Sequence, residues 1–358
     1  DQRTQFRLDL DWEFGDHTLR FGYSQEVVET SDNIAYAGDG KTYEYRIMSQ
    51  GTLDWLNSNR ADIGQGPITG ISAGDEYYRA REYDRVGTAE STNTAIYIQD
   101  TWYVTDEITL NLGIRNSAFE SKTGEGDTYA DMDNQWAPRL GAIWDVNGEG
   151  TTKVSLNYGR YFMPISPNTS VRMTLGETNQ YDYAKFDEIG AGGLPTNPES
   201  MYLLNYGDGT FTQPYETLVD ADLDPMYSDE ISVSLTHELN ENWIVGARYI
   251  YQDLKSSIED TNMKYVLTKW MEENPDEAAK LDPNWDISSS WVGFVINPGS
   301  DAHLSYDADG DGTIADGEGV TWSADYIGLP QAKRTYQALE FTLEGKPTEN
   351  SRLQASYT

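Results

Sequence analysis

The chain opens with a strict alternation of apolar and polar residues. Over residues 5–14, apolar side chains occupy every second position and charged side chains occupy the positions between them. A period of two is typical of a β-strand with one apolar face. The alternation stops at Gly15 and Asp16 and resumes over residues 19–23. The pattern therefore predicts two antiparallel strands joined by a tight turn.

The same hairpin pattern recurs along the chain. The predicted strand pairs are 94–104 with 108–119, 136–146 with 153–162, 229–239 with 242–252, and 334–345 with 352–358. Weaker alternation at 42–50 and 77–87 predicts two further strands, and we expect about 13 strands in the chain as a whole. The pattern indicates an all-β protein in which most neighbouring strands are antiparallel.

The connections between the strands fall into two classes that alternate from residue 94 onward. One class has about two to seven residues, whereas the other comprises the long segments 120–135, 163–227 and 255–332. An outer-membrane β-barrel has this asymmetry, because its periplasmic turns are short and its external loops can be long. A soluble β-sandwich also alternates apolar and polar residues, but nothing requires its long loops to lie at one end.

The polar face of the predicted strands favours a wide barrel. It carries charged residues that a small closed barrel could not pack without water, namely Arg7, Asp9, Asp11, Glu13, Arg115 and Arg139. Several Trp and Tyr residues fall near strand ends, where outer-membrane barrels have aromatic girdles. We therefore expect an antiparallel transmembrane β-barrel that holds water or a plug and carries long extracellular loops.

Composition excludes several classes of function. The chain has 60 Asp and Glu against 25 Lys and Arg, for a formal net charge of -35. Such a surface repels phosphate backbones, so we expect no nucleic-acid partner. There is no Cys, which excludes disulfides and thiolate metal sites. The three His residues lack catalytic spacing, and no nucleophile elbow or phosphate-binding loop is present, so we do not expect an enzyme.

Residues 307–318, DADGDGTIADGE, match the calcium-binding loop of an EF-hand. The predicted ligands are the side chains of Asp307, Asp309, Asp311 and Glu318 and the carbonyl of Thr313. Hard oxygen ligands at this spacing suit Ca²⁺. The flanking sequence has an extended rather than a helical pattern, so we expect a bare calcium clip that orders the connection 255–332. The alternative is an Asp- and Gly-rich turn without an ion.

Long segments of the chain resemble the barrel of TonB-dependent outer-membrane receptors, and in particular the Oar-like branch. The resemblance is carried by YIQDTWYVTDEITLNLGIR, WAPRLGAIWDVNGEGTTKVSLNYGRYF, LDPMYSDEISVSLTHELNENWIVGARYIYQDLKSSIED and KRTYQALEFTLEGKPTENSRLQASYT. It implies a barrel of about 22 strands, a plug domain inside the barrel, and contact with the TonB complex through a periplasmic TonB box. It also implies a location in the bacterial outer membrane.

The chain departs from the pattern of that family at its ends. No signal peptide, plug or TonB box is recognisable in it, and its last hairpin is unfinished. We therefore expect residues 1–358 to be a partial barrel domain within a larger protein. Contact with the TonB complex would then involve a missing N-terminal region.

The resemblance predicts TonB-dependent uptake or export of a bulky ligand such as a metal chelate, an oligosaccharide or a peptide. The candidate ligand contacts in or beside the connection 163–227 are Tyr181, Tyr183, Tyr202, Tyr206, Tyr215 and Tyr227. One alternative is a secreted, calcium-stabilised adhesin or carbohydrate-binding module. Another is an outer-membrane barrel that serves as a surface anchor without transport.

Overall fold

β-Strands dominate the structure, and its helices are short. The computed structural model describes residues 2–123, 126–166, 169–171, 177–208, 219–281, 292–315 and 317–358. For residue 62 and residues 206–208, only the backbone is described. No helix within these ranges is long and apolar enough to cross a membrane.

The strands are numbered in chain order. They are β1 (Gln2–Phe14), β2 (His17–Ala35), β3 (Lys41–Ile47), β4 (Glu76–Tyr103), β5 (Ile108–Thr123), β6 (Thr128–Asp145), β7 (Thr152–Met163), β8 (Glu177–Lys185), β9 (Glu199–Asp208), β10 (Met226–Asn240), β11 (Trp243–Ser256), β12 (Glu259–Asn262), β13 (Gly293–Ile296), β14 (Ala302–Ser305), β15 (Gly319–Trp322), β16 (Thr335–Thr348) and β17 (Ser351–Tyr357). The helices are α1 (Gln50–Asp62), α2 (Lys264–Glu273), α3 (Pro275–Ala278) and α4 (Ala324–Ile327), and Ala191–Gly193 form one 3-10 turn.

An antiparallel meander forms the main part of a 13-stranded sheet, in the order β1-β2-β4-β5-β6-β7-β10-β11-β16-β17. The predicted hairpins are confirmed, and short turns join their strands at one end of the sheet, which we call the tight-turn end. In the first of these turns, Gly15 has a φ of +56°, a left-handed conformation that glycine adopts without strain. The longer connections lie at the opposite, long-loop end.

The two faces of the meander differ in chemistry. On one face, Leu10, Phe21 and Ile98 lie opposite one another in successive strands and remain 64%, 36% and 40% exposed. On the other face, the neighbouring row contains Asp11 and Arg20. An exposed apolar face opposite a polar face is the arrangement of a transmembrane barrel wall, in which lipid covers the apolar side. We call these the outward face and the inner face.

Some strands are longer than the sequence pattern predicts. The segments 77–87 and 94–104, predicted as two strands, belong to the single 28-residue strand β4. Similarly, β5 continues to Thr123 and β6 begins at Thr128, so most of the predicted long connection 120–135 is strand. These extensions lie beyond the apolar part of the outward face, where the regular alternation of apolar and polar residues stops marking a strand.

The first half of β4 carries additional strands on both edges. β3 pairs with residues 76–82 of β4, and β8 pairs with residues 78–85 along the other edge. β9 then pairs with β8, so the predicted loop 163–227 contains a β-hairpin. We call these four paired segments the extension sheet. Helix α1 packs against it, with Leu56 and Met48 fully buried in the contact.

The predicted loop 255–332 contains a small folded unit, residues 259–281 and 292–327, which we call the loop unit. It comprises β12 to β15 and α2 to α4. Its core consists of Met263, Val266, Leu267, Trp270, Leu281, Val292, Phe294, Ile296, Ala302, Leu304, Tyr306, Trp322 and Ile327. The two long connections also touch, because Val219 forms a parallel bridge with Val295.

Candidate functional site at the long-loop end

The extension sheet brings together three of the six predicted ligand-contacting tyrosines. Tyr181 and Tyr183 lie on β8, and Tyr202 on β9 is opposite Tyr183. The ring of Tyr183 stacks on Tyr77 of β4, with 6.3 Å between the ring centroids. Trp55 of α1 approaches Tyr183 at 5.6 Å and Tyr202 at 6.0 Å. These residues form one aromatic cluster, built from three strands and a helix.

The other three predicted tyrosines do not join this cluster. Tyr227 lies in β10, where its ring contacts Phe162 at 5.2 Å and the guanidinium of Arg160 at 4.4 Å. Tyr227 is opposite Phe162 of β7 in the register, and Phe162 is on the outward face. Tyr227 is therefore on the outward face as well. Tyr206 belongs to β9, but only its backbone is described, and Tyr215 lies outside the described residues.

Two side-chain hydrogen bonds fix helix α1, which carries Trp55, to the chain before and after it. At its start, the Ser49 hydroxyl accepts a hydrogen bond from the Thr52 amide at 3.0 Å, which caps the helix. Near its end, the Asn57 side chain accepts one from the Ile68 amide at 2.8 Å, which ties down the following turn. Leu56 is fully buried beside Trp55, whereas Trp55 is 40% exposed. The helix thus presents an aromatic side chain to solvent on a fixed support.

An open cavity of about 430 Å³ lies between α1 and the extension sheet, and Trp55, Tyr77, Tyr183 and Arg46 contribute to its lining. Arg46 and Arg79 both bond to the Glu44 carboxylate, and these bonds, that of Arg46 first, lower the pKa of Glu44. Aromatic faces beside a guanidinium can stack on planar or ring-shaped groups and interact with their polar edges. The arrangement therefore suits ligand binding.

From Tyr77 to Arg85, every second residue of β4 is a tyrosine or an arginine, so these side chains share one face of the strand. The guanidinium groups of Arg79 and Arg81 lie 4.8 and 5.2 Å from the Tyr181 ring. Arg81 also lies 4.9 Å from Tyr83, and Arg85 pairs with Asp32 at 2.6 Å. The sequence analysis missed these residues, as well as Trp55 and Tyr77. The available signal was the segment YYRAREYDR (77–85), in which every second residue is Tyr or Arg.

The aromatic cluster and the inner face of the meander belong to one continuous surface. β4 pairs with β3 and then β2 without a register break, so its alternate residues keep the same face from end to end. Tyr77 and Arg81 in the extension sheet therefore share a face with Tyr97 on the inner wall. A group bound at the cluster would lie at the long-loop end of the inner face.

The predicted calcium loop forms the connection between β14 and β15. Its flanks are strands, as the sequence analysis expected, and α4 follows two residues after β15. One carboxylate oxygen from each of Asp307, Asp309 and Asp311 can be chosen so that all three lie within 4.8 Å of one another. The structure thus brings together three of the predicted ligands.

The fourth predicted carboxylate closes the loop from its other end. Glu318 Oε1 accepts hydrogen bonds from the amides of Ala308 and Asp309 at 2.6 and 2.9 Å, and Oε2 accepts one from Ala315 at 2.9 Å. The Thr313 hydroxyl and amide donate to Asp311, which lowers the pKa of that carboxyl group. The loop is therefore compact, with its carboxylates held by backbone donors.

His303 connects the calcium loop to the other long connection. Its Nε2 donates to the Glu318 carbonyl at 3.0 Å, which leaves Nδ1 to accept from the Thr321 hydroxyl at 2.9 Å. The His303 amide donates to Asp220 Oδ1 at 2.9 Å. Burial raises the pKa of Asp220, and the hydrogen bonds from the amides of His303 and Asp222 oppose that shift.

The comparisons with known proteins agree with this architecture. The model of the TonB dependent receptor-like β-barrel family matches residues 1–267. The TonB-dependent transporter Oar of Myxococcus xanthus is 30% identical over 275 residues, which cover 69% of this chain and 24% of that protein.

Solved structures are similar at lower identity. The outer membrane transporter YddB of Escherichia coli is 14% identical, with a TM-score of 0.40 over 96% of this chain and 39% of that one. The ferric-catecholate import receptor Fiu of E. coli is 12% identical, with a TM-score of 0.37 over 99% of this chain and 37% of that one. On the match to the family model, the chain belongs to the TonB-dependent receptor family of outer-membrane β-barrel transporters.

Proposed function

We propose that this chain is part of the barrel wall of a receptor that moves a bulky ligand across the bacterial outer membrane, with its long-loop end outside the cell. The observation that carries this proposal is the continuous face of β4. It joins the aromatic cluster around Tyr77 and Tyr183 to the inner wall at Tyr97. A ligand captured at the cluster would lie at the entrance to the barrel interior.

The outward face supports a lipid environment for the wall. Leu8, Leu10 and Trp12 are 61%, 64% and 56% exposed on β1, and similar residues continue across the meander. In water such a surface would cost about 25 cal/mol for each Å² left exposed, whereas lipid chains cover it. The same surface argues against the secreted adhesin or carbohydrate-binding module. Outer-membrane lipid is therefore a partner of this face.

The aromatic cluster is the proposed capture site for the ligand. Trp55, Tyr183 and Tyr202 offer ring faces and edges within one cluster, and Arg46 adds a positive charge beside them. This chemistry suits a ligand that combines flat or ring-shaped surfaces with polar groups, such as an oligosaccharide, a metal chelate or a peptide. The other predicted contacts, Tyr206, Tyr215 and Tyr227, remain proposals.

Energy for transport would come from the TonB complex. The proposed contact is made by a region outside residues 1–358, since this chain spans only 24% of the length of the Myxococcus xanthus transporter. The same region includes the segment that fills the barrel interior. Uptake and export are both compatible with such a coupling.

Growth assays in a host that lacks the receptor test this function. The whole receptor is supplied from a plasmid, and the medium offers iron only as a chelate, carbon only as an oligosaccharide, or nitrogen only as a peptide. Growth on one of these sources should require both the receptor and TonB, and should fall at least tenfold with Trp55→Ala plus Tyr183→Ala. Trp136→Ala, on the outward face, is the matched control. Growth that is independent of TonB would contradict the proposal.

Calcium binding at the loop 307–318 is the second part of the proposal. The carboxylates of Asp307, Asp309, Asp311 and Glu318, with the Thr313 carbonyl, would hold Ca²⁺. The close approach of the three aspartates supports this, because a divalent cation balances carboxylates that otherwise repel one another. Bound Ca²⁺ would order the loop and, through His303, the segment around Asp220.

Calorimetric titration of the whole receptor with CaCl₂ tests the calcium site. We expect a dissociation constant at the weak end of EF-hand loops, about 10⁻⁴ to 10⁻³ M, as in extracellular modules. Asp307→Ala plus Glu318→Ala should abolish the binding heat. Asp276→Ala plus Glu349→Ala removes the same number of charges elsewhere and should leave it unchanged. Equal heats in both double variants would exclude the loop as the site.

A further inference from the structure

Four arginine side chains line one cavity of about 400 Å³ on the inner face of the meander. They are Arg7, Arg20, Arg115 and Arg139. Two of them are paired within the wall. Arg7 Nε lies 2.7 Å from Asp9 Oδ2, and Arg20 makes two hydrogen bonds to Asp11, at 2.6 and 2.8 Å.

The other two arginines have no carboxylate partner among the described residues. Arg115 donates to the hydroxyls of Ser117 and Ser24 at 2.9 and 3.3 Å. Arg139 lies over the Tyr161 ring, 5.0 Å from its centroid. Because Arg139 is opposite Gly113 in the β5–β6 register, it is the diagonal neighbour of Arg115 on the same face. Glu26 also lines the cavity, but it pairs with Arg3 at 2.5 Å. Arg115 and Arg139 therefore lie side by side, and neither of them is paired with a carboxylate of the wall.

The position of this pair makes the missing charge significant. Ile114 and Leu140, the sequence neighbours of the two arginines, lie on the outward face at the level of the lipid-facing apolar band. Near lipid, an uncompensated charge costs more free energy than it does in water. Solubility does not explain the pair either, because the chain as a whole carries a formal charge of -35.

We propose that Arg115 and Arg139 form a binding site for carboxylate side chains of the polypeptide segment that lies inside the barrel of the whole receptor. This inference rests on the proposed function, which places such a segment there. Two guanidinium forks side by side match two carboxylates, or one carboxylate shared between them. A transported ligand would balance these charges only during passage, whereas a resident segment balances them in the resting receptor.

Zero-length cross-linking identifies the partner directly. In the whole receptor, kept in outer-membrane fractions, Arg115→Lys and Arg139→Lys each place an amine at the site. A water-soluble carbodiimide joins an amine to a carboxylate only when the two are in contact, and mass spectrometry of peptides locates the new amide. We expect each variant to form an amide with an Asp or Glu outside residues 1–358 of the same polypeptide. Changing that residue to Asn or Gln should abolish the product.

Arg248→Lys is the matched control. Arg248 is opposite Glu340 in the β11–β16 register, so its replacement should couple to Glu340 within the wall. If the control couples to Glu340 while the two test variants yield no amide, or amides only to Asp9, Asp11 or Glu26, the carboxylate site is excluded. The unsubstituted receptor should yield no amide at these positions, because a guanidinium does not react.

The cross-link and the growth assay can fail separately. The amide forms in isolated membranes without TonB or ligand, so its absence in a receptor that still supports TonB-dependent growth would overturn only the carboxylate site. Its presence in a receptor that supports no growth on any source would uphold the site and overturn the proposed transport.

Discussion

The meander and the loop unit differ in how they keep their apolar residues. In the meander, residues such as Leu10 and Leu140 remain 64% and 46% exposed, and lipid is their proposed environment. In the loop unit, Phe294, Ile296 and Leu304 are 2%, 0% and 1% exposed and pack against one another. The comparison separates apolar residues that pack against one another from apolar residues for which lipid is the proposed neighbour. The effect of a substitution on stability should therefore depend, in the meander, on which face carries the side chain. In the loop unit it should depend on how much side-chain volume is removed.

The largest effect is expected for Phe294→Ala in the core of the loop unit. Truncating a buried Phe leaves a cavity and typically costs about 3–5 kcal/mol. Limited proteolysis of the whole receptor should then cleave within the loop unit at least tenfold faster, while the barrel keeps its heat-modifiable mobility on gels. Leu140→Ala, on the outward face, should leave the cleavage rate unchanged. Loss of the mobility shift in Phe294→Ala would show that the two regions are not independent.

A charge on the outward face should have the next largest effect. Ile98→Arg places a guanidinium in the apolar band, at a cost of about 2–4 kcal/mol near the membrane midplane. Its neighbour Gln99 lies on the inner face, so Gln99→Arg should cost far less. Urea titration of the receptor folding into phospholipid vesicles measures the difference. Equal midpoints for the two variants would contradict the assignment of the faces.

The contact between the two long connections gives a smaller effect. Asn297 accepts a hydrogen bond from the Asp224 amide at 2.6 Å and donates to the carbonyls of Asp224 and Ser257, both at 2.9 Å. Asn297→Ala leaves these buried groups unpaired, at a cost of about 1–3 kcal/mol. Hydrogen exchange should speed up at the Asp224 amide and stay unchanged in β10 below it. Unchanged exchange at Asp224 would mean that the segment is held by other contacts.

The smallest effect is a pH dependence at Asp220. Burial raises its pKa above the ordinary value of 3.8, so the folded contact binds the proton more tightly than the unfolded chain does. The contribution of Asp220 to stability is therefore most favourable at low pH and is lost as the pH rises through the raised pKa. Asp220→Asn should flatten this dependence and add about 1 kcal/mol or less at neutral pH. Exchange of the His303 amide, corrected for its intrinsic rate, reports both changes.

The hairpins of the meander could be predicted because one face of the sheet is apolar and the other is polar, which gives the sequence a period of two. Where β4 leaves the apolar band, residues 88–93 read TAESTN, and the strand continues without that signal. The segments 77–87 and 94–104 could each be predicted as a strand, but the sequence did not indicate that they belong to one continuous strand. Pairing with β2 and β5, rather than the local pattern, holds this part of β4 extended.

The candidate sites were predictable to different degrees. The loop 307–318 could be predicted as a calcium site because its candidate ligands are close together in sequence and have the spacing of an EF-hand loop. The aromatic cluster combines Trp55, Tyr77 and Tyr183 from distant segments, so only the fold brings them together. Likewise, Arg115 and Arg139 could be assigned to the polar face, but their lack of carboxylate partners depends on the strand register. A site whose residues are neighbours in sequence could be predicted, whereas a site whose residues come from different strands required the structure.

The length of β4 sets how far the aromatic cluster would stand from the proposed bilayer. Tyr77 precedes Thr94, the start of the apolar alternation, by 17 positions in one uninterrupted strand. At about 3.3 Å per residue, this is about 55 Å along the strand, or about 40 Å in height for a tilt of about 45°. A lipid head-group layer is only about 5–8 Å thick. A bulky ligand of the proposed kind would therefore reach the cluster without touching the membrane surface.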